Sequence, residues 1–262
     1  MAIRSQWRAW LCLGAILGLI VFCACHNRAR AEPFMSSMQI ALAPFDAPAE
    51  SPAPLAAPFG LTQSAISEAS AQAMAAKWRS LQAIVALETR VIALCRQLPD
   101  ACPPSTAHFL TIVDAAREET GRTRAGLINR AVNLAIRFSR DTAQFGAADV
   151  WQSPLMTFAS GSGDCEDYAI AKYVALREAG MSADDLKFVI VHDARVGEDH
   201  AITAARIDGE WLILDNRKML LLTDAQASDI KPLIALGEDT PKPVLVRDAG
   251  LDGWFVAAAA FG

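Results

Sequence analysis

From about residue 64 to 98 apolar residues recur at helical spacing, Leu81, Ile84, Val85, Leu87, Val91, Ile92 and Leu94 among them, which predicts one or two helices ending at Pro99. The same period predicts helices over 105–120 and 122–140, the second with an inward stripe of Leu127, Ile128, Ala131, Val132, Leu134 and Ala135. After Gly161-Ser162-Gly163 a further helix fits 165–179, with Asp164 or Ser162 as its N-cap and Gly180 as its stop. The period then changes. Residues 186–192, 201–207 and 211–214 are short runs rich in Val, Ile and Leu, and Asp208-Gly209 between the last two is a two-residue hairpin signal. Residues 243–246 and 254–258 are two further candidate strands. A helical first half followed by an antiparallel sheet makes the expected fold class α+β.

Composition narrows the picture. With 262 residues, of which 53% are hydrophobic, the chain supports a sizeable packed core, and a net charge of −5 excludes the basic groove of a nucleic-acid binder. Arg4 and Arg8 precede an apolar run over 9–24, and Ala29-Arg30-Ala31 offers a small-x-small cleavage site before Glu32. Residues 1–31 therefore read as a signal peptide, with an uncleaved membrane anchor as the alternative. A lipoprotein reading of Cys23 or Cys25 is opposed by Phe22 and Cys23, where small residues are needed. The bulk of the chain is expected outside the cytoplasm, in the periplasm. Residues 32–62, with Pro44, Pro48, Pro52, Pro54 and Pro58, read as a Pro/Ala-rich linker or arm, and 63–262 as the functional domain.

Removal of the first 31 residues leaves Cys95, Cys102 and Cys165. Cys95 and Cys102 flank a turn-like stretch and are either a small-loop disulfide or two buried thiols; Cys165 is then the leftover thiol of an exported chain. At a helix start, unpaired N–H groups and the positive end of the dipole favour a thiolate and offer donors to an oxyanion. Asp164, Glu166 and Asp167 act the other way, raising the pKa of the sulfur unless something offsets them. His200 precedes a predicted strand and Asp215 follows the next strand of the hairpin, so an imidazole and a carboxylate can meet across neighbouring antiparallel strands. A nucleophile, a base and an orienting acid thus occur in that order. Each also has a plain reading, as a small core cysteine, a structural histidine and a turn-forming aspartate. His192, beside Asp193, is a competing base, and His108 lies in a helical segment. Trp78, Trp151 and Trp211 line a substrate groove or fill the core, the latter being expected.

The run Gly163-Asp164-Cys165-Glu166-Asp167-Tyr168-Ala169-Ile170-Ala171-Lys172-Tyr173, followed by Asp199-His200-Ala201 and Leu214-Asp215-Asn216, resembles the bacterial transglutaminase-like cysteine proteinases. Within them it is similar to the periplasmic adhesin proteases of the LapG type, over roughly residues 78–222. The resemblance implies a papain/transglutaminase-like cysteine protease fold, with Cys165 as nucleophile, His200 as general base and Asp215 as its orienter. It also implies calcium (Ca2+) beside the active-site helix, with Asp164, Glu166 and Asp167 as its ligands. A simple N-cap with a solvated acidic first turn is the metal-free alternative. The implied substrate is the N-terminal retention region of a large surface adhesin, cut near a pair of alanines, so that the adhesin is released and biofilm attachment controlled. The implied partner is an inner-membrane cyclic-dinucleotide receptor that sequesters the protease. Two other functions fit the same residues: a transglutaminase or amidase acting on glutamine side chains, and a non-catalytic peptide-binding module, for which a damaged triad would be expected.

Overall fold

A computed structural model describes residues 57–61 and 64–238. The expected signal peptide, nearly all of the expected Pro/Ala-rich arm and the candidate strands at 243–246 and 254–258 lie outside the described residues. Among the described residues no helix is long and apolar enough to cross a membrane.

The first helix, α1 (Glu68–Gln97), starts at Ser67, whose side chain accepts from the Ser70 N–H at 3.2 Å, and ends just before Pro99. At 1.5 Å per residue it is about 45 Å long. Its N-terminal half buries Ala71, Ala75, Trp78 and Leu81, whereas its C-terminal half buries only Ile92 and Cys95. Ile84, Leu87, Val91 and Leu94, expected to face inward, are therefore exposed: the helix outruns the core it covers. A disulfide between Cys95 and Cys102 ties its end to the start of α2 (Pro104–Arg117).

Helix α3 (Gly121–Ala135) stops five residues short of the boundary expected from its pattern, at 140. Residues Arg137–Phe138 form a short strand, β1, which pairs in parallel with Ser162–Gly163, β2. The Arg137 and Ser139 N–H groups donate to Gly161 and Gly163 carbonyls at 3.0 and 2.9 Å, so tertiary pairing overrides the helical period. Leu134 falls off the inward stripe and is 72% exposed. Between the two short strands lie α4 (Asp141–Gln144) and α5 (Pro154–Ser160).

Helix α6 (Cys165–Glu178) is buried along most of its length, and it ends where Gly180, at φ 94°, donates to Arg177 while Met181 donates back to Leu176. It packs on a five-stranded antiparallel sheet made of β3 (Leu186–Asp193), β4 (Glu198–Ile207), β5 (Glu210–Leu214), β6 (Leu222–Thr223) and β7 (Ile230–Leu236), in the order β6-β5-β4-β3-β7. Asp208 and Gly209, at φ 53° and 82°, make the tight turn between β4 and β5, as the dipeptide predicts. One sheet face, with Phe188, Ile190, Leu212 and Leu214, joins the main core with α6. The other, with Val189, Val191, Ile202 and Ile213, packs with Leu61, Ala227 and Ile230. Burial on both faces explains why these strands read as continuous apolar runs. Trp78 stacks on Phe188 with centroids 5.0 Å apart, Trp151 sits 4.9 Å from the same ring, and Trp211 belongs to the opposite-face cluster. All three tryptophans are packing residues.

Candidate active site

The head of α6 is built around Asp167. Its carboxylate is fully buried and accepts from the Gln152 N–H at 2.8 Å, the Gln152 side chain at 2.6 Å and the Asp164 N–H at 3.2 Å. The last of these closes one half of a capping box over the first turn. Gly163 is required by the same closeness: a Cβ there would fall on the Asp167 carboxylate. The β1–β2 pair, the Gln152 loop and the helix start are thereby locked together. Cys165, the first residue of α6, is the free cysteine among the described residues and is half-buried. Its sulfur donates to the Glu166 carboxylate at 2.8 Å and receives the Ala201 N–H. Burial pushes the thiol pKa well up, Glu166 adds to that and Asp164 adds less, while the Ala201 N–H pulls it down.

His200 and Asp215 are both buried, and Nε2 of His200 lies 2.8 Å from Oδ1 of Asp215. Register explains the meeting: Thr203 of β4 pairs with Leu214 of β5, so the residue after β5 reaches the part of β4 where His200 stands. The Arg217 N–H donates to the same oxygen at 2.9 Å, and the Asn133 side chain donates to the Asp215 carbonyl at 3.0 Å. Burial works against the Asp215 charge, but the His200 hydrogen bond and charge, the Arg217 amide and Lys172 together hold its carboxyl below the usual range. Nδ1 of His200 is buried and makes no hydrogen bond. Thr203 anchors β4 on α6, its hydroxyl donating to the Ala169 carbonyl at 2.6 Å. The backbone contact between Ala201 and the sulfur places Cys165 beside His200's neighbour in the chain.

His192 is paired through its register with Asp199, 3.0 Å away at the surface. It follows Val191, the partner of His200, so strand alternation points it to the other side of the sheet. His108 packs edge-on against Phe158 at 5.5 Å.

The acidic residues divide differently from the expected Asp164, Glu166 and Asp167. Asp141, Asp164 and Asp167 bring ligand oxygens within 4.8 Å of one another, and Glu166 is turned to the sulfur instead. Asp141, at the start of α4, was invisible to local spacing; it arrives because β1 pairs with β2. One oxygen each of Asp141 and Asp164 is buried without a hydrogen-bond partner. Burial and the neighbouring carboxylates of Glu166, Asp167 and Asp141 push Asp164 up to about 9, and burial pushes Asp167 up to about 6. An all-oxygen, anionic donor set with unsatisfied atoms fits a hard divalent cation such as calcium.

Comparison with known proteins gives two findings. Over residues 81–228 the chain matches the family described as bacterial transglutaminase-like cysteine proteinase BTLCP. Among solved structures, a calcium-bound Legionella pneumophila LapG is 20% identical and superposes with a TM-score of 0.52 over 64% of this chain and 94% of its own. An EGTA-treated Legionella pneumophila LapG is 22% identical, with a TM-score of 0.50 over 63% of this chain and 88% of its own. No curated protein matches the chain at a significant level.

Proposed function

The chain belongs to the bacterial transglutaminase-like cysteine proteinases, and from that premise we propose that it is an exported cysteine endopeptidase in which Cys165 attacks, His200 transfers protons and Asp215 orients His200. The observation carrying this reading is the buried His200–Asp215 pair, committed through Nε2 and leaving Nδ1 as the nitrogen able to exchange a proton with Cys165. In the first half-reaction His200 takes the thiol proton, the sulfur bonds to the scissile carbonyl carbon, and the first-turn N–H groups of α6 receive the oxyanion. The C–N bond then breaks as His200 gives the proton to the leaving amine. In the second, His200 takes a proton from water, the resulting hydroxide displaces the sulfur from the thioester, and the thiol is restored.

Asp141, Asp164 and Asp167 would hold a calcium ion, in keeping with the calcium-bound Legionella pneumophila relative. Such an ion supplies positive charge that offsets the carboxylates around Cys165. Glu166, which the family resemblance also suggests as a ligand, reaches the cluster only by turning away from the sulfur. The resemblance of the Gly163–Tyr173 run to LapG-type proteases supports the N-terminal region of a large surface adhesin as substrate, cut in the periplasm near a pair of alanines. It supports equally an inner-membrane cyclic-dinucleotide receptor as the sequestering partner. Incubation of the protein with the adhesin N-terminus from the same genome tests the reading. Wild type is expected to cut it once, and Cys165→Ala to leave it intact while keeping the wild-type circular dichroism spectrum. Full cleavage by Cys165→Ala, or incorporation of a labelled amine into glutamine without backbone cleavage, would replace the proposal.

A further inference from the structure

Residues 215–221 join β5 to β6 outside the strand ladder, and Asp215 is the first of them. The backbone carbonyls of such a segment need donors from elsewhere. Two side chains of α3 supply them. Asn133 donates through Nδ2 to the Asp215 carbonyl at 3.0 Å and to the Lys218 carbonyl at 3.2 Å. Asn129, fully buried, donates to the same Lys218 carbonyl at 2.9 Å and to the Met219 carbonyl at 3.4 Å. The two asparagines are one helical turn apart and share a face of α3. Asparagine is a weak helix former, and the Oδ1 atoms of both are buried without a hydrogen bond among the described residues. Helix propensity and acceptor pairing therefore both disfavour this residue type here, and what it contributes is the N–H donors, which face the Asp215 segment.

The C-terminal end of α3 is fastened to α6 as well. Tyr168, one turn beyond Cys165, donates its hydroxyl to the carbonyl of Ile136, the C-cap of α3, at 2.5 Å. Ile136 in turn lies one turn beyond Asn133. A series of hydrogen bonds and single helical turns thus runs from Cys165 through Tyr168, Ile136 and Asn133 to the backbone of Asp215. The other bonds to Asp215, from His200 and the Arg217 N–H, are made within the sheet and its turn, and they leave its place relative to the helical layer unset. The Thr203 hydroxyl on Ala169 registers β4 on α6 at one point; Asn133 adds a second, at the orienting acid itself.

Resting on the assignment of Cys165, His200 and Asp215 above, we propose that Asn133 is a positioning residue for the reaction. Its amide holds the Asp215 backbone to α3, and through Tyr168 to the helix of Cys165, so that the carboxylate meets Nε2 of His200 and Nδ1 is left to the sulfur. The end of α3 is then a strut between the nucleophile, which belongs to the helical layer, and the His200–Asp215 pair, which belongs to the sheet.

The test is a set of full-length variants assayed with calcium on the adhesin segment: Asn133→Ala, Asn129→Ala, Asp215→Asn, and Asn133→Ala combined with Asp215→Asn. Each alanine variant removes donors to the same segment, and each is expected to lower Tm by about 3–6 °C. Their rates are expected to part. Asn133→Ala loses about tenfold in kcat with KM unchanged, because a small displacement of the orienting acid misaligns the base. Asn129→Ala, which frees the segment beyond the acid, loses less than about threefold. Beside Asp215→Asn, Asn133→Ala is expected to change kcat by less than about twofold. Without substrate, the proton between His200 and Asp215, followed by NMR, is expected to move upfield and exchange faster in Asn133→Ala and to keep its wild-type position in Asn129→Ala. Equal losses of kcat in the two alanine variants overturn the proposal, as does a wild-type rate or an unmoved proton signal in Asn133→Ala. So does a loss that persists in full beside Asp215→Asn. If Asn133→Ala does not fold, Asn133→Ser, a milder change that shortens the donor, carries the same comparison. Full activity of Asp215→Asn alone would instead sink the underlying assignment of the orienting acid.

Discussion

Asp215 shows how much of this site rests on single hydrogen bonds. Its carboxylate is buried, a condition that by itself favours the neutral form, and it stays ionised because His200, the Arg217 amide and Lys172 outweigh that cost. A carboxyl held below its ordinary value of 3.8 contributes stability above that pH, and the contribution is lost as the pH falls through the lowered folded value. Asp215→Ala is therefore expected to cost about 2–4 kcal/mol near pH 7, since it leaves the His200 and Arg217 donors buried and unpaired. The deficit should be smaller at a pH well below 3.8 than near pH 7, because the unfolded chain then takes up a proton that the native pair resists. Urea unfolding of the two proteins at both pH values checks this, and a deficit independent of pH would contradict it. At the same scale the His200–Asp215 pair was legible in the chain, because a two-residue turn leaves only one register for the flanking strands. Asp141 was not legible: nothing in its own neighbourhood marks it, and its role depends on Arg137 and Phe138 leaving the helical pattern to pair with Ser162 and Gly163.

Among the elements, α1 and α6 behave in opposite ways. α6 is buried nearly all round, so its apolar residues carry no stripe and its identification rested on its caps, Asp164 before it and Gly180 after it. α1 carries a clear stripe, yet the part containing Ile84, Leu87, Val91 and Leu94 faces outward among the described residues. Periodicity records that a helix has an apolar side and is silent on whether a partner reaches it. The C-terminal end of α1 is fastened by the Cys95–Cys102 disulfide instead, across a separation of 7 residues. Closing so short a loop restricts the unfolded chain by about 2–3 kcal/mol. Cys95→Ala with Cys102→Ala is expected to lower the unfolding free energy by about that amount and to leave proteolysis unchanged, because the bond lies at the far end of α1 from the sheet and touches none of the reacting groups. Denaturant titration alongside the cleavage assay checks both halves, and lost activity at full stability would assign the disulfide a role in the site.

For the molecule as a whole, a metal ion held by the acidic cluster would couple its binding to folding. Asp141 comes from α4, Asp164 from the cap of α6 and Asp167 from its first turn, so an ion held by all three joins segments that the unfolded chain keeps apart. Calcium at about 100 times its Kd would stabilise the fold by about 2.7 kcal/mol, raising Tm by about 5–10 °C for a unit of this size. Calorimetry with calcium, with magnesium and with chelator checks the prediction. A Tm indifferent to all three would leave the three carboxylates as a cap and a loop anchor only. The α+β order, the helix that starts at Cys165 and the antiparallel hairpin follow from linear order, because caps, tight turns and apolar period act over a few residues and are written where they act. The division of the acids into a trio of clustered carboxylates and a partner for the sulfur arose only when distant segments packed. Burial and charge at those positions are set by neighbours that lie far along the chain, and no local pattern carries that information.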